Sequence, residues 1–502
     1  MTGKSEIRFH ERDLHLFRDA SHDRNPLHLS AEYSHKTPFG EPVVYGILAS
    51  LTALAHLPSR PGQELAELAL DFPSPLYLEI PYTVHWEAPS AMEVRFRILD
   101  GSRLMLKGVA RFRLAGPPGG RDAPIAGTPR AVAACPADDQ IASAAPLGGV
   151  YACASAPFSK LWESLGLDAR GVTGWQTASL LWASYLIGME MPGERALFSK
   201  LRLCFDAGCP VWGGFTYRVQ PRSFDTRFSI LHLDASLETS GGQGAQATLQ
   251  SFVRPGSPPL QVDVLPEQGD ELAGRTAFVV GGSRGLGAAL VRSLGLRGAT
   301  VYFSYRQSKE EADSLLRGPG AAVAAIPGDA ADSDWCRQTA ATLQARHGGL
   351  DLLVCNAGPA LTPLRLEPQG LERIHRFLSR SVSMVSTPMA NWLAQIDRRQ
   401  GAVVVISSIA TKQPVADWPH YIAAKHAIEG LTEVAALEYL NARFLVVRPP
   451  RLLTDLTNTP LGRHLALPPQ VVANRVTHLL AGKTLAPGLH WIEDFPAPDR
   501  WE

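Results

Sequence analysis

Hydrophobic and polar positions follow two different rhythms along the chain, and the change of rhythm marks its organisation. From 271 to 495, short apolar runs alternate with helical patterns. The runs are Thr276–Val280, Thr300–Tyr305, Ala322–Ile326, Leu352–Val354, Ala402–Ile406, Phe444–Val447 and Gly488–Glu493. Strands separated by helices predict an α/β domain, a doubly wound parallel sheet with helices on both faces. The parts at 1–115 and 150–254 run differently. In the first, Val44–Leu57 is apolar almost all round, which predicts a buried helix. Strand-like runs follow at Ala69–Phe72, Tyr82–Trp86, Glu93–Ile98 and Leu104–Leu114. In the second, Trp175–Met189 is another apolar helix, followed by Leu201–Phe205, Thr216–Val219, Phe228–Leu237 and Ala245–Val253. A long helix and then a meander of strands, twice over, predicts an α+β sheet wrapped around a helix and duplicated. Two unrelated α+β domains are the alternative. Gly116–Gly149 and Pro255–Gly269, dense in turn formers, predict linkers between the three parts.

Length agrees with three domains: the chain has 502 residues, against a prior of about 150 per domain. Lys+Arg and Asp+Glu are both 48, so the net charge is zero. Nothing in that balance recommends a nucleic acid or an anionic membrane as partner. Six cysteines (Cys135, Cys153, Cys204, Cys209, Cys336, Cys355) lack paired C-x-x-C spacing and are expected to be reduced thiols of a cytoplasmic protein. The N-terminus shows no signal-peptide apolar region, and no run reaches the length of a membrane span. His10, His15, His22 and His35 crowd the N-terminus without a metal-ligand spacing, so no metal is expected.

Candidate chemistry changes this picture more than composition does. Gly281, Gly285 and Gly287 follow the first apolar run of the third part and open a helical pattern. A tight turn, close backbone approach and free N–H groups at a helix start suit a diphosphate. Tyr421 and Lys425 are four apart, on one face of a helix. An ammonium beside a phenol favours the phenolate, which predicts a lowered Tyr421 pKa and a proton donor or acceptor for a carbonyl or carbinol oxygen. Ser408, after the run ending at Ile406, can hydrogen-bond the same oxygen.

These residues, with Asn356-Ala357-Gly358 and Asp329, make the third part resemble the short-chain dehydrogenase/reductases over about 220 residues. The resemblance implies hydride transfer on a nicotinamide dinucleotide. Tyr421 would be the acid/base, Lys425 would hold the ribose and tune Tyr421, and Ser408 would orient the substrate oxygen. Gly281, Ser283, Arg284, Gly285, Leu286, Gly287, Asn356, Ala357 and Gly358 would hold the cofactor, with Asp329 at the adenine. Four positions depart from the family: Val280, Cys355, Pro450, and Ser381 where an Asn often holds a water of the proton relay. Slower turnover is expected from the last. Cofactor choice follows from charge. Arg306 ends the second run where a carboxylate would bind a ribose 2′-hydroxyl, and Arg284 lies in the glycine turn; both suit a 2′-phosphate and predict NADPH.

In the first part, Asp23 and His28 flank the Asn25-Pro26 turn, which bends the chain so that carboxylate and imidazole can converge. Such a pair can remove one proton and deliver another. With Gly46 before the central helix, the stretch resembles the MaoC-like, R-specific enoyl-CoA hydratases of the hot-dog fold. The resemblance implies Asp23 and His28 as acid/base pair and a backbone N–H near Gly46 polarising the thioester oxygen. Tyr45 departs from the family's usual His. The second part resembles a further hot-dog repeat lacking that signature, and is expected to complete the pocket as a non-catalytic half.

Together the parts predict a multidomain chain, a double hot-dog followed by a Rossmann sheet. The expected function is a bifunctional ketoreductase/dehydratase for 3-oxoacyl and 3-hydroxyacyl thioesters on CoA or acyl carrier protein, in polyketide or fatty-acid biosynthesis, working as a homo-oligomer. Two alternatives stand beside it. One runs the same parts backwards as a hydratase and 3-hydroxyacyl dehydrogenase of β-oxidation. The other makes the hot-dog pair a non-catalytic acyl-binding module.

Overall fold

The computed structural model describes residues 1–116, 131–136, 140–141, 144–208, 213–256, 258, 265–318, 320, 322–482 and 485–495. Cys209 and parts of both expected linkers lie outside the described residues. The chain divides into two compact units, one of residues 1–35 and 41–256, the other of 36–40 and 257–502.

The first unit is built on one ten-stranded antiparallel sheet. Its strands are β1 (Thr2–Ile7), β2 (Gln63–Asp71), β3 (Tyr82–Ser90), β4 (Glu93–Asp100), β5 (Arg103–Leu114), β6 (Leu147–Tyr151), β7 (Ala196–Phe205), β8 (Phe215–Asp225), β9 (Ile230–Glu238) and β10 (Gly244–Val253). The order is β1-β3-β4-β5-β2-β7-β10-β9-β8-β6. Read from either edge inward, the two halves have the same strand order, and they join where β2 pairs with β7 from Glu67↔Cys204 to Asp71↔Lys200. The helices Gly46–Ala55 and Gly174–Tyr185 share one core with strand residues such as Leu68, Val84, Leu203 and Phe215. Burial of two tryptophans, Trp175 and Trp182, against Phe215 anchors the second helix; removing either is expected to cost about 3–5 kcal/mol.

Three features differ from the sequence-based expectation, each for a physical reason. The edge strand β1 is polar, and of its residues only Ile7 is buried, so it has no hydrophobic signature. Strand β2 begins well before Ala69 because its glutamates are paired across the sheet: Glu64 with Arg113, Glu67 with Arg111 and Arg202. Strand β6 includes Leu147–Gly149, which the glycine content had placed in a linker. A Cβ at Gly149 would come 2.7 Å from the Tyr217 hydroxyl oxygen on β8, so glycine marks a close approach within the sheet.

The expected helix over Trp175–Met189 is likewise divided. Thr173 and Gln176 cap its start reciprocally, Gln176 N–H donating to Thr173 Oγ1 at 3.2 Å and Thr173 N–H to Gln176 Oε1 at 3.0 Å. Past Tyr185 the backbone widens into a π turn, Leu186–Glu190.

The second unit holds a seven-stranded parallel sheet: β11 (Thr276–Val280), β12 (Thr300–Tyr305), β13 (Ala324–Pro327), β14 (Leu352–Cys355), β15 (Ala402–Ile406), β16 (Arg443–Val447) and β17 (Gly488–Ile492). The order β13-β12-β11-β14-β15-β16-β17 reverses direction between β11 and β14. Successive residues of each strand serve opposite cores. Val279, Val354 and Val404 face Leu290 on one side, while Phe278, Leu353 and Val405 join Trp392 on the other. The crevice at the reversal, outside the carboxyl ends of the strands, is where this topology places ligands.

Candidate active sites

At the reversal of the parallel sheet, β11 leads into the glycine turn and β14 into Asn356-Ala357-Gly358. Gly281 has φ +75°, and a Cβ there would come 2.8 Å from the Ala357 Cβ; one at Gly287 would come 2.7 Å from Asn356 Nδ2. Asn356 Nδ2 donates to the Gly281 carbonyl at 2.7 Å, and Gly281 N–H donates to Ser304 Oγ at 3.0 Å. The turn is therefore tied on both sides by β12 and β14. The helix Gly285–Leu296 then starts without a side-chain cap, so its first N–H groups are available to an anion. Leu286 in that helix is buried, Ser283 is half-buried in the turn, and no atom of the described residues lies within 4 Å of the Cβ position of Gly358. This cradle fits a diphosphate.

Tyr421 and Lys425 lie one turn apart on the helix Pro419–Glu438, which begins with Pro419 at its first position. Ser408 follows β15, and its Oγ accepts from Ala410 N–H at 3.1 Å and hydrogen-bonds Tyr421. Lys425 Nζ donates to the Ile406 carbonyl at 2.7 Å and lies 5.6 Å from the centre of the Tyr421 ring. The structure thus brings Ser408, Tyr421 and Lys425 together. It does not bear out the lowered phenol. Burial raises the Tyr421 pKa, with the Ser408 hydrogen bond opposing, whereas burial pushes Lys425 down to about 8 against the pull of Glu429.

The arginines and Asp329 are placed unevenly. Arg306 is exposed at the end of β12 and helps hold Asp329 ionised. Burial alone would raise Asp329, but Arg380, the Ala331 N–H and Arg306 together keep it below the usual carboxylate range. Arg380 comes from the long helix Leu371–Arg398 and is ion-paired with Asp329. Arg284 is bound to Asp455 at 2.6 Å. On the Leu371–Arg398 helix, Ser381 Oγ is buried without a hydrogen-bond partner among the described residues.

In the first unit, Asp23 is buried and its carboxylate accepts from Asn25 N–H at 3.1 Å and from Ser184 Oγ at 2.7 Å. Burial raises Asp23 to about 7 against both hydrogen bonds. His28 Nδ1 lies 2.7 Å from the Val43 carbonyl. A neutral ring donating there leaves Nε2 as the acceptor. Burial pushes His28 down to about 4, with Val43 opposing and Arg254 contributing. Tyr45 links the two: its ring stacks on His28 at 3.9 Å, and its hydroxyl donates to the Asp23 carbonyl at 2.8 Å. Gly46 starts the Gly46–Ala55 helix, and Tyr45, at its cap position, makes no side-chain cap hydrogen bond. A Cβ at Gly46 would come 3.0 Å from the Phe72 ring. Glycine thus leaves room beside the first N–H groups of that helix.

Comparison with known proteins agrees with this geometry. Residues 275–461 match the family model described as short chain dehydrogenase. Residues 2–86 match the model described as MaoC like domain. A human protein, dehydrogenase/reductase SDR family member 2, mitochondrial, is 36% identical over 192 residues, which are 37% of this chain and 68% of the relative. The chain belongs to the short-chain dehydrogenase/reductase family. The cyclic-di-GMP-binding biofilm dispersal mediator protein of Escherichia coli is 31% identical over 187 residues, 36% of this chain and 75% of that protein. The 3-oxoacyl-[acyl-carrier-protein] reductase FabG of Staphylococcus aureus (strain Mu50) is 28% identical over 192 residues, 37% of this chain and 77% of that protein.

Several groups around the short-chain dehydrogenase/reductase site escaped the sequence reasoning. Behind Lys425, Glu429 is buried and accepts from Arg448 at 2.8 and 2.9 Å and from Ser407 Oγ at 2.5 Å. Its position four residues after Lys425, on the same helix face, was the available signal. Arg380 and Ser304 carried no such spacing. In the MaoC-like site, Ser184 and the π turn are distant in sequence, and no motif announces them. Among the described residues no helix is long and apolar enough to cross a membrane.

Proposed function

We propose that the chain is a bifunctional ketoreductase/dehydratase that reduces a 3-oxoacyl thioester and then removes water from the 3-hydroxyacyl product. The first unit is a double hot-dog, with repeats at 1–115 and 150–254, and the reductase spans 271–495. The duplicated strand order of the ten-stranded sheet, each half with its buried helix, supports that assignment.

The observation that carries the reading is the placing of Asp23 and His28 on either side of Tyr45, whose ring stacks on His28 at 3.9 Å and whose hydroxyl donates to the Asp23 backbone carbonyl at 2.8 Å; burial displaces the two groups in opposite directions. An imidazole at about 4 and a carboxyl at about 7 leave a free base and a protonated acid over the same pH window. Dehydration needs that state. His28 Nε2 takes the proton from the carbon next to the thioester. The electron pair forms the C=C bond, the C–O bond breaks, and the Asp23 proton leaves with the hydroxyl as water. Gly46, at the start of its helix, stabilises the negative charge that develops on the thioester oxygen.

In the reductase, a bound nicotinamide dinucleotide supplies the hydride. The chain's own residues supply the rest. Tyr421 gives its hydroxyl proton to the substrate oxygen, Ser408 orients that oxygen, and Lys425 holds charge beside the tyrosine. Ser381, whose buried hydroxyl has no hydrogen-bond partner among the described residues, can hold a water. Exposed Arg306 supports NADPH; Arg284, engaged by Asp455, supports it less. The thioester on CoA or a carrier protein is consistent with the FabG likeness. A stripe of exposed apolar residues on the reductase, Leu431, Val434, Leu437 and Leu440, supports a homo-oligomer. The free cysteines of the described residues agree with a cytoplasmic setting.

The test follows enoyl absorbance with 2-enoyl-CoA and the Asp23→Asn and His28→Ala variants. Loss of hydration in both is expected. Unchanged rates in both would make the first unit an acyl-binding module.

A further inference from the structure

Asp23 and Asn25 lie on the first half of the ten-stranded unit, yet much of what holds them comes from the second. Ser184, buried near the end of the Gly174–Tyr185 helix, places its Oγ 2.7 Å from Asp23 Oδ2. Four residues later the π turn brings Gly188 against the same group: a Cβ there would lie 2.7 Å from Asp23 Oδ1 and 2.9 Å from Oδ2. Asn25 Nδ2 donates to the carbonyls of Gly188, Gly193 and Glu194 at 3.0, 3.2 and 3.3 Å. The π turn follows directly on the Gly174–Tyr185 helix and ends it at Glu190. The last turn of the helix and the π turn thus present a hydroxyl and a bare backbone to one carboxyl group.

We propose that Ser184 is a positioning residue for Asp23, so that the second half of the sheet is a working part of the dehydratase site. The proposal rests on the dehydratase reading given above and deepens it. Asn25 N–H and Ser184 Oγ each occupy one carboxyl oxygen. They fix the plane of the group and leave a lone pair on each oxygen for the travelling proton. Among the described residues the two hydrogen bonds, from Ser184 and from Asn25 N–H, are what opposes the burial of Asp23. The titratable groups that feel it are Tyr45, at the start of the first long helix, and Tyr151, on β6. Burial raises both phenols well above their ordinary value, so they stay neutral while Asp23 titrates. Arg18 and Asp19 act on Tyr45, and Arg24, next to Asp23, is exposed. His28 titrates well below.

The test is the pH profile of kcat/KM for hydration of 2-butenoyl-CoA by the full chain. Ser184→Ala is expected to lower the plateau about tenfold and to move the alkaline limb up by about one unit, with the acid limb fixed. Ser184→Thr, which keeps the hydroxyl, is expected to retain the wild-type limb. A pH titration of the protonated-carboxyl infrared band, assigned by its loss in Asp23→Asn, is expected to show the same upward shift in Ser184→Ala. Superimposable Ser184→Ala and wild-type profiles, or a lowered plateau with neither limb nor infrared midpoint moved, would overturn the proposal. A wild-type chain inert toward the enoyl thioester at every pH would refute the dehydratase reading instead, and the infrared shift alone would then decide whether Ser184 holds the carboxyl group.

Discussion

The two candidate sites solve the same problem, a proton placed beside a reacting oxygen, with opposite architecture. The reductase group is local. Tyr421 and Lys425 share one helix, Glu429 is one turn further on, and Ser408 caps a short turn at the end of the adjacent strand. The MaoC-like group is assembled at long range: Asp23 sits on a loop and accepts from Ser184, 161 positions away. Their electrostatics differ as well. Lys425 is depressed by burial, but a carboxylate, Glu429, pulls against it. Asp23 is raised by burial with only hydrogen bonds opposing. The reductase group is therefore expected to tolerate loss of a distant neighbour, and the Asp23 group to respond to loss of a single hydroxyl.

The sharpest way to separate the two is to break each alone. Tyr421→Phe is expected to lower ketone reduction by about 10²–10⁴-fold, the usual range for a lost general acid, while leaving enoyl hydration within the scatter of the wild type. Asp23→Asn is expected to do the reverse. Steady-state rates of both reactions on the same preparations check it, and parallel losses in both reactions would contradict the separation.

Next in size is the pH dependence. Below about pH 4, His28 is protonated and no base remains; above about pH 7, Asp23 is ionised and no acid remains. Hydration passes through the same singly protonated pair, so kcat/KM in both directions is expected to be a bell between those limits. A profile flat from pH 5 to pH 9 would remove Asp23 from the proton path.

A smaller effect is expected for Arg306→Ala: a rise of about 3–10-fold in KM for NADPH with KM for NADH little changed, because an exposed arginine gives only a screened hold on phosphate. Equal KM values for the two nucleotides in the wild type would contradict the assignment. The smallest effect is expected for Ser381→Asn, a gain of no more than a few-fold in reductase kcat, read in the same assay.

The same contrast explains what the sequence made legible. The parallel sheet was readable because each of its strands is a short apolar run bounded by turns, and because Tyr421 and Lys425 keep helical spacing. The paired helices Gly46–Ala55 and Gly174–Tyr185 were readable because both are apolar nearly all round. What stayed hidden was hidden by tertiary pairing. Charged residues of β2 find partners across the sheet, glycines of β6 make way for Tyr217, and Ser184 meets Asp23 across 161 positions of chain. Spacing also misled at Tyr421. Lysine lies on the expected face but donates to the Ile406 carbonyl, and burial, not the ammonium, sets the direction of the phenol's shift.

The central claim is that one polypeptide moves hydride and then water on neighbouring positions of one thioester. The most direct measurement is a mass-resolved time course of the full chain with NADPH and a 3-oxoacyl thioester, on CoA and on carrier protein. The account predicts gain of two hydrogens followed by loss of one water from the same acyl chain. A 3-hydroxyacyl product that accumulates unchanged, with no enoyl species at any pH between 4 and 7, would contradict it.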